Sequence, residues 1–218
     1  ILSVKLQPKM NNFLSEREEV AYFMRRLYQQ KLTTTSGGNV SLRINDENIL
    51  ITPSQLDKGR MQAGQIGIID LEGNNKTPRL KISMESRMHL SIYKIRKDIK
   101  AIVHAHPVIA SAFSVMDKEI NCRMMGEARY VLGEPQKTRY ALMGTQELAG
   151  IVAEAAITTN VILLENHGIL TVGTKLLEAF DRLEVLEAAA KTTLITEIMG
   201  SRKELTSEQI RAIDDLIA

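Results

Sequence analysis

The chain has 218 residues, 44% of them hydrophobic and 25% charged, which is the composition of a globular protein long enough to bury a core. A net charge of +2 gives no electrostatic case for nucleic acid or a membrane surface, and five tyrosines, four phenylalanines and no tryptophan leave little for base stacking. The single cysteine, Cys122, excludes an internal disulfide and points to a reducing cytoplasm, and no apolar run reaches the roughly 20 residues of a membrane span.

Residues 1–12 lack the charged start and long apolar centre of a signal peptide and read as an N-terminal tail. The first helix is expected from Ser15, which stands in capping-box spacing with Glu18, and it lines up Val20, Phe23, Met24, Leu27 and Tyr28 on one face. "TTTSGGN" breaks it. Residues 40–54 then read as a hairpin turning at Asn45–Asn48, and 65–75 as a strand running into a Gly-Asn turn. "SMESRMHLSIYKIRKD" has helical period, with Met84, Met88, Ile92 and Ile95 in line. "IKAIVHAHP" is a strand stopped by Pro107, and "VIASAFSVM" a helix. Residues 120–143 give no regular pattern. A helix follows with Thr145 as cap, then a strand, a turn at Asn166-His167-Gly168 and a second strand. The last elements are a long helix ending at Gly200 and a short one from Thr206. No linker or repeat divides this order. It predicts a single α/β domain over 1–218, in three α/β/α layers around a mixed, largely antiparallel sheet.

Only four histidines occur, and their placement carries the functional signal. His104 and His106 flank small Ala105, so alternation along a strand turns both imidazoles to one face, where they can share an ion. The plain alternative is a pair of half-buried, hydrogen-bonded histidines. His167 also ends an apolar strand, with Gly168 expected to let the backbone turn, and a three-histidine site that keeps one position open is the pattern of catalytic zinc. Glu85 falls at a helix start, where the macrodipole favours its charge, and is either a surface acid or a fourth ligand and general base. His89, one turn on, reads as structural. The "TSGGN" loop and "ITPS" offer backbone N–H groups and hydroxyls, and each is ambiguous alone.

Taken together, "SGGNVSLR", "ILITPS", "SMESRMHLSIY", "AIVHAHP", "YALMGT" and "LLENHGIL" resemble, in order, the class II aldolase/epimerase family that includes L-fuculose-1-phosphate aldolase. The resemblance runs from about Ser15 to Gly200. It implies one zinc ion per subunit on His104, His106 and His167, with Glu85 as resting ligand and then acid/base. It implies a phosphate pocket at Gly38, Asn39, Ser54 and Ser83. It also implies a cyclic homotetramer acting on a small sugar phosphate: cleavage of a ketose 1-phosphate to dihydroxyacetone phosphate and an aldehyde, or 4-epimerisation. A tyrosine usually protonates the aldehyde oxygen in the family, and Tyr130 is the candidate, with Tyr140 read as structural. Two positions depart from the pattern: Gln55 stands where many members have glycine, and Met84 replaces one phosphate-binding serine. Family members also include dehydratases, decarboxylases and non-enzymatic adducin-type relatives. The last lack the zinc histidines that this chain keeps.

Overall fold

The computed structural model describes residues 12–216, so the expected N-terminal tail lies almost wholly outside the described residues. Seven strands form one sheet: β1 (Asn39–Asn45), β2 (Asn48–Ile51), β3 (Gly67–Ile69), β4 (Ala101–Ala105), β5 (Gln136–Thr138), β6 (Val161–Leu164) and β7 (Gly168–Gly173). Their spatial order is β3-β2-β1-β4-β7-β6-β5. Every pairing is antiparallel except β5 with β6.

The helices are α1 (Leu14–Gln29), α2 (Ser86–Ile95), α3 (Val108–Ser114), α4 (Gly126–Leu132), α5 (Gln146–Ala155), α6 (Leu176–Met199) and α7 (Ser207–Asp214). One core lies between the sheet and α1, α3, α4 and α6, and contains Val40, Val103, Ala105, Leu163 and Phe180. A second lies between the opposite face and α2 and α5, and contains Ile51, Ile102, Leu164, Leu170 and Tyr93. The three-layer α/β/α single domain with a largely antiparallel sheet is thus observed. Strands β4, β6 and β7 are buried along their whole length, which is why they read as unbroken apolar runs. No described helix is long and apolar enough to cross a membrane.

Three local expectations are corrected. Helix α1 has no capping box: it starts at Leu14, and its N-cap is Phe13 at φ 62°, without a side-chain cap bond. A tertiary anchor replaces the cap, because the buried Arg17 guanidinium donates to the Ile66 carbonyl at 2.8 Å and the Asn12 carbonyl at 3.1 Å. The apolar stripe of α2 is not Met84-Met88-Ile92-Ile95, since Met84 and Ile95 are exposed; the helix begins after Met84 and buries Met88, Leu90, Ile92 and Tyr93. Finally, the irregular region holds α4 and β5, a seven-residue helix and an edge strand whose Gln136 and Lys137 are exposed. Elements that short and polar leave no periodicity to read. Thr145 caps α5 as expected, accepting from Leu148 N at 3.2 Å.

Candidate metal centre

Four segments meet at one end of the sheet: the start of β1, the end of β4, the β6–β7 turn and the N-terminus of α2. Asn39 of β1 is paired with His104 of β4. His104 and His106 lie on the same side of the sheet, and the turn brings His167 across to them. Ring centroids are 4.8 Å apart for His104–His106, 4.9 Å for His104–His167 and 5.7 Å for His106–His167. One nitrogen from each ring can be chosen so that all lie within 4.8 Å of one another.

The close packing of this corner explains its glycines. Gly38 has φ 67°, and a Cβ there would meet the His104 carbonyl at 2.7 Å. At Gly168 the reason differs from the expected turn: the left-handed residue is Asn166, φ 52°, whereas Gly168 leaves room for the His106 ring and the Ala105 carbonyl, which a Cβ would meet at 2.8 Å.

His104 is fully buried and its Nδ1 bonds the Ile169 carbonyl at 2.8 Å. A carbonyl only accepts, so in the neutral ring Nδ1 carries the proton and Nε2 has the lone pair. That Nε2 is buried without a hydrogen-bond partner, as is His167 Nδ1. Orphaned buried imidazole nitrogens are costly unless something binds them, and these two, with the His106 ring beside them, fit a divalent transition metal.

Glu85 completes the group. It is the N-cap of α2, yet its carboxylate makes no cap bond; it turns instead into the cluster. Oε1 lies 2.8 Å from His167 Nε2, and Oε2 lies 3.4 Å from His104 Nε2. Asn39 Nδ2 donates to Oε2 at 2.5 Å. Burial raises the carboxyl's pKa, but His104 and His167 outweigh burial and hold Glu85 well below the usual range. Reciprocally, burial lowers His104 while Glu85 raises it, with a net increase. His106 is pushed down to about 3 by burial and by the neighbouring His104 and His167, so its lone pair is free near neutrality.

The fourth histidine is structural, as the sequence suggested. His89 is fully buried on α2, with Nδ1 at 2.7 Å from Ser41 Oγ, which in turn lies 2.8 Å from Tyr93 Oη.

A cavity of about 470 Å³ opens over the cluster. Its lining includes Gly38, Asn39, Ser54, Ser83, Glu85, His106 and His167, so the expected phosphate-site residues and the metal-site residues share one space. Gln55 and Met84 line it too, and Gln55 holds a left-handed φ of 61° at the position where glycine was the expected residue. Tyr130 is not part of this lining; it is exposed on α4. Sequence reasoning missed Lys58, a buried lysine in the cavity wall.

This combination defines a class: an α/β/α protein with a three-histidine, one-carboxylate centre in an open cleft. Residues 18–194 match the model of the Class II Aldolase and Adducin N-terminal domain, and the chain belongs to that family. A 3-oxo-tetronate 4-phosphate decarboxylase of Haemophilus influenzae is 31% identical over 207 residues, covering 93% of this chain and 97% of its own. An L-fuculose phosphate aldolase of Methanocaldococcus jannaschii is 34% identical, covering 83% and 96%. A solved L-fuculose 1-phosphate aldolase superposes with a TM-score of 0.84 at 30% identity, over 92% of this chain and 94% of that one.

Proposed function

We propose that the protein is a zinc-dependent class II aldolase that reversibly cleaves the C3–C4 bond of a ketose 1-phosphate. L-Fuculose 1-phosphate is the substrate we favour, giving dihydroxyacetone phosphate and L-lactaldehyde. The observation that carries this reading is the Glu85 carboxylate lodged among three histidines, 2.8 Å from His167.

His104, His106 and His167 would hold the ion, with Glu85 beside them. Bound there, a divalent cation supplies Lewis acidity toward a carbonyl oxygen, worth several kcal/mol as negative charge develops. Three neutral imidazoles do not reduce that positive charge. In the condensation direction Glu85 takes the proton from the carbon of dihydroxyacetone phosphate that becomes C3, and in cleavage it returns that proton to the same carbon. A carboxylate held ionised by its neighbours, with one partner a neutral amide, is a base whose strength changes as those contacts loosen. Gly38, Asn39, Ser54 and Ser83 would seat the phosphate. Tyr130, exposed and outside this chain's cavity, could protonate the aldehyde oxygen only in the cavity of a neighbouring copy, which is part of the tetramer we propose. Lone, buried Cys122 supports the cytoplasm as its location.

A second reading is decarboxylation of a phosphorylated 3-oxo acid. It is favoured by the likeness to the Haemophilus decarboxylase and by Met84 standing where an aldolase serine was expected. Loss of carbon dioxide from such an acid leaves an enolate with the same need for charge stabilisation. Activity on each substrate separates the two: chelator-sensitive cleavage of L-fuculose 1-phosphate supports the aldolase, and release of carbon dioxide from a 3-oxo-tetronate 4-phosphate, which also leaves dihydroxyacetone phosphate, by a protein that does not cleave L-fuculose 1-phosphate supports the decarboxylase.

A further inference from the structure

Lys58 is 1% exposed, yet it lies in the wall of the cavity over the histidine cluster. It is the one lysine or arginine among the described residues lining that cavity. Among the described residues its ammonium donates to one protein acceptor, the Pro53 carbonyl, at 2.6 Å. An ammonium has three donors, and taking it out of water is expensive unless charge and hydrogen bonds are returned. No carboxylate forms an ion pair with it among the described residues. Glu85, the acid whose charge it feels, is turned toward His167, His104 and Asn39.

The surroundings supply the rest of an anion site. Lys58 follows the Thr52-Pro53-Ser54 segment and shares the cavity wall with Ser54, Ser83 and the Gly37–Gly38 loop. One expected hydroxyl is missing at Met84, so hydroxyls and amides alone face a dianion with less help than the family pattern provides. Nothing else in that wall brings positive charge from a side chain that is always or mostly protonated.

We propose that Lys58 binds the substrate's phosphate monoester through the N–H groups not engaged by the Pro53 carbonyl. The inference rests on the reading that the substrate is phosphorylated, and it makes Lys58 a specificity residue for phosphorylated over unphosphorylated ligands. Burial pushes the amine down to about 8, against the opposing pull of Glu85, so at pH 7 the group is still a cation. Lysine acts in such sites as a compact point charge.

The test uses inorganic phosphate, so that it does not depend on turnover. Isothermal titration of phosphate at pH 7 into the metal-loaded protein and into Lys58→Met should show roughly a 10- to 100-fold weaker affinity in the variant, the scale of a lost charged hydrogen bond. Metal content must stay equal in the two. Unchanged phosphate affinity in a folded, metal-replete Lys58→Met, or no phosphate binding by the wild type, overturns the proposal. If the variant does not fold, crystals of the wild type in saturating phosphate decide. A phosphate oxygen within about 3.2 Å of Lys58 Nζ supports it, and phosphate seated elsewhere or absent overturns it. A protein that binds phosphate through Lys58 but cleaves no ketose phosphate would refute the aldolase reading alone.

Discussion

His167 Nε2 and Glu85 Oε1 stand 2.8 Å apart, joining the β6–β7 turn to the N-cap of α2. A carboxylate at a helix N-cap ordinarily bonds the helix's own amides. Here it is drawn into the histidine cluster instead, and the helix start goes without that cap. This points to a separable role for Glu85. Glu85→Gln should retain bound metal on three histidines and lower the rate of carbon–carbon cleavage by roughly 10²- to 10⁴-fold, the range for a lost general base. Near-normal turnover in a metal-replete Glu85→Gln would remove Glu85 from the chemistry.

Gly168 lies against the His106 ring, and a Cβ would meet the Ala105 carbonyl at 2.8 Å. Gly168→Ala should therefore displace His106, weaken metal binding and cost about 1–3 kcal/mol of stability from overpacking. Metal titration and urea unfolding check this together. Full metal affinity in the variant would show that the ring has room to move.

Gln55 occupies a left-handed φ of 61°. A non-glycine side chain there costs roughly 1–2 kcal/mol, against about 0.5–1 kcal/mol of extra backbone entropy for glycine. Gln55→Gly should raise stability by up to about 1 kcal/mol, seen as a higher melting temperature. A clear loss would mean that the contact of Gln55 Oε1 with Lys81 Nζ at 3.3 Å outweighs the strain.

His89 is pushed down to about 3, by burial first and then by His104. The unfolded chain would take up its proton near 6.5. Between those values the unfolded state binds more protons, so this stability is present above about 6.5 and lost as the pH falls toward 3. From pH 7 to 5 His89 alone should contribute a loss of about 2 kcal/mol in the metal-free protein. His89→Gln, whose amide can still donate to Ser41, should show a shallower decline over the same range. Identical pH slopes would contradict the assignment.

Much of this site was legible because it depends on local rules. Strand alternation alone puts His104 and His106 on one face, and a short turn puts His167 at the same sheet end. Asn166 and Gly168 exchanged roles because the tight spot is set by the His106 ring on the neighbouring strand, which local turn chemistry does not contain. Lys58 was missed for a similar reason: its burial follows from tertiary packing, which the local sequence does not contain. There the Tyr28 ring of α1 sits so close to Gly59 that a Cβ would meet it at 2.6 Å. The helix α4 and strand β5 were missed because polar, three- to seven-residue elements owe their form to neighbours rather than to their own pattern.

Metal content is the most direct test of the central claim, that His104, His106 and His167 jointly hold one ion. Elemental analysis of the purified protein loaded with zinc should give one ion per chain, and His104→Ala, treated alike and shown to be folded, should give almost none. Stoichiometric zinc in folded His104→Ala would contradict the account, and with it the reason that two histidines stand one residue apart at the end of β4.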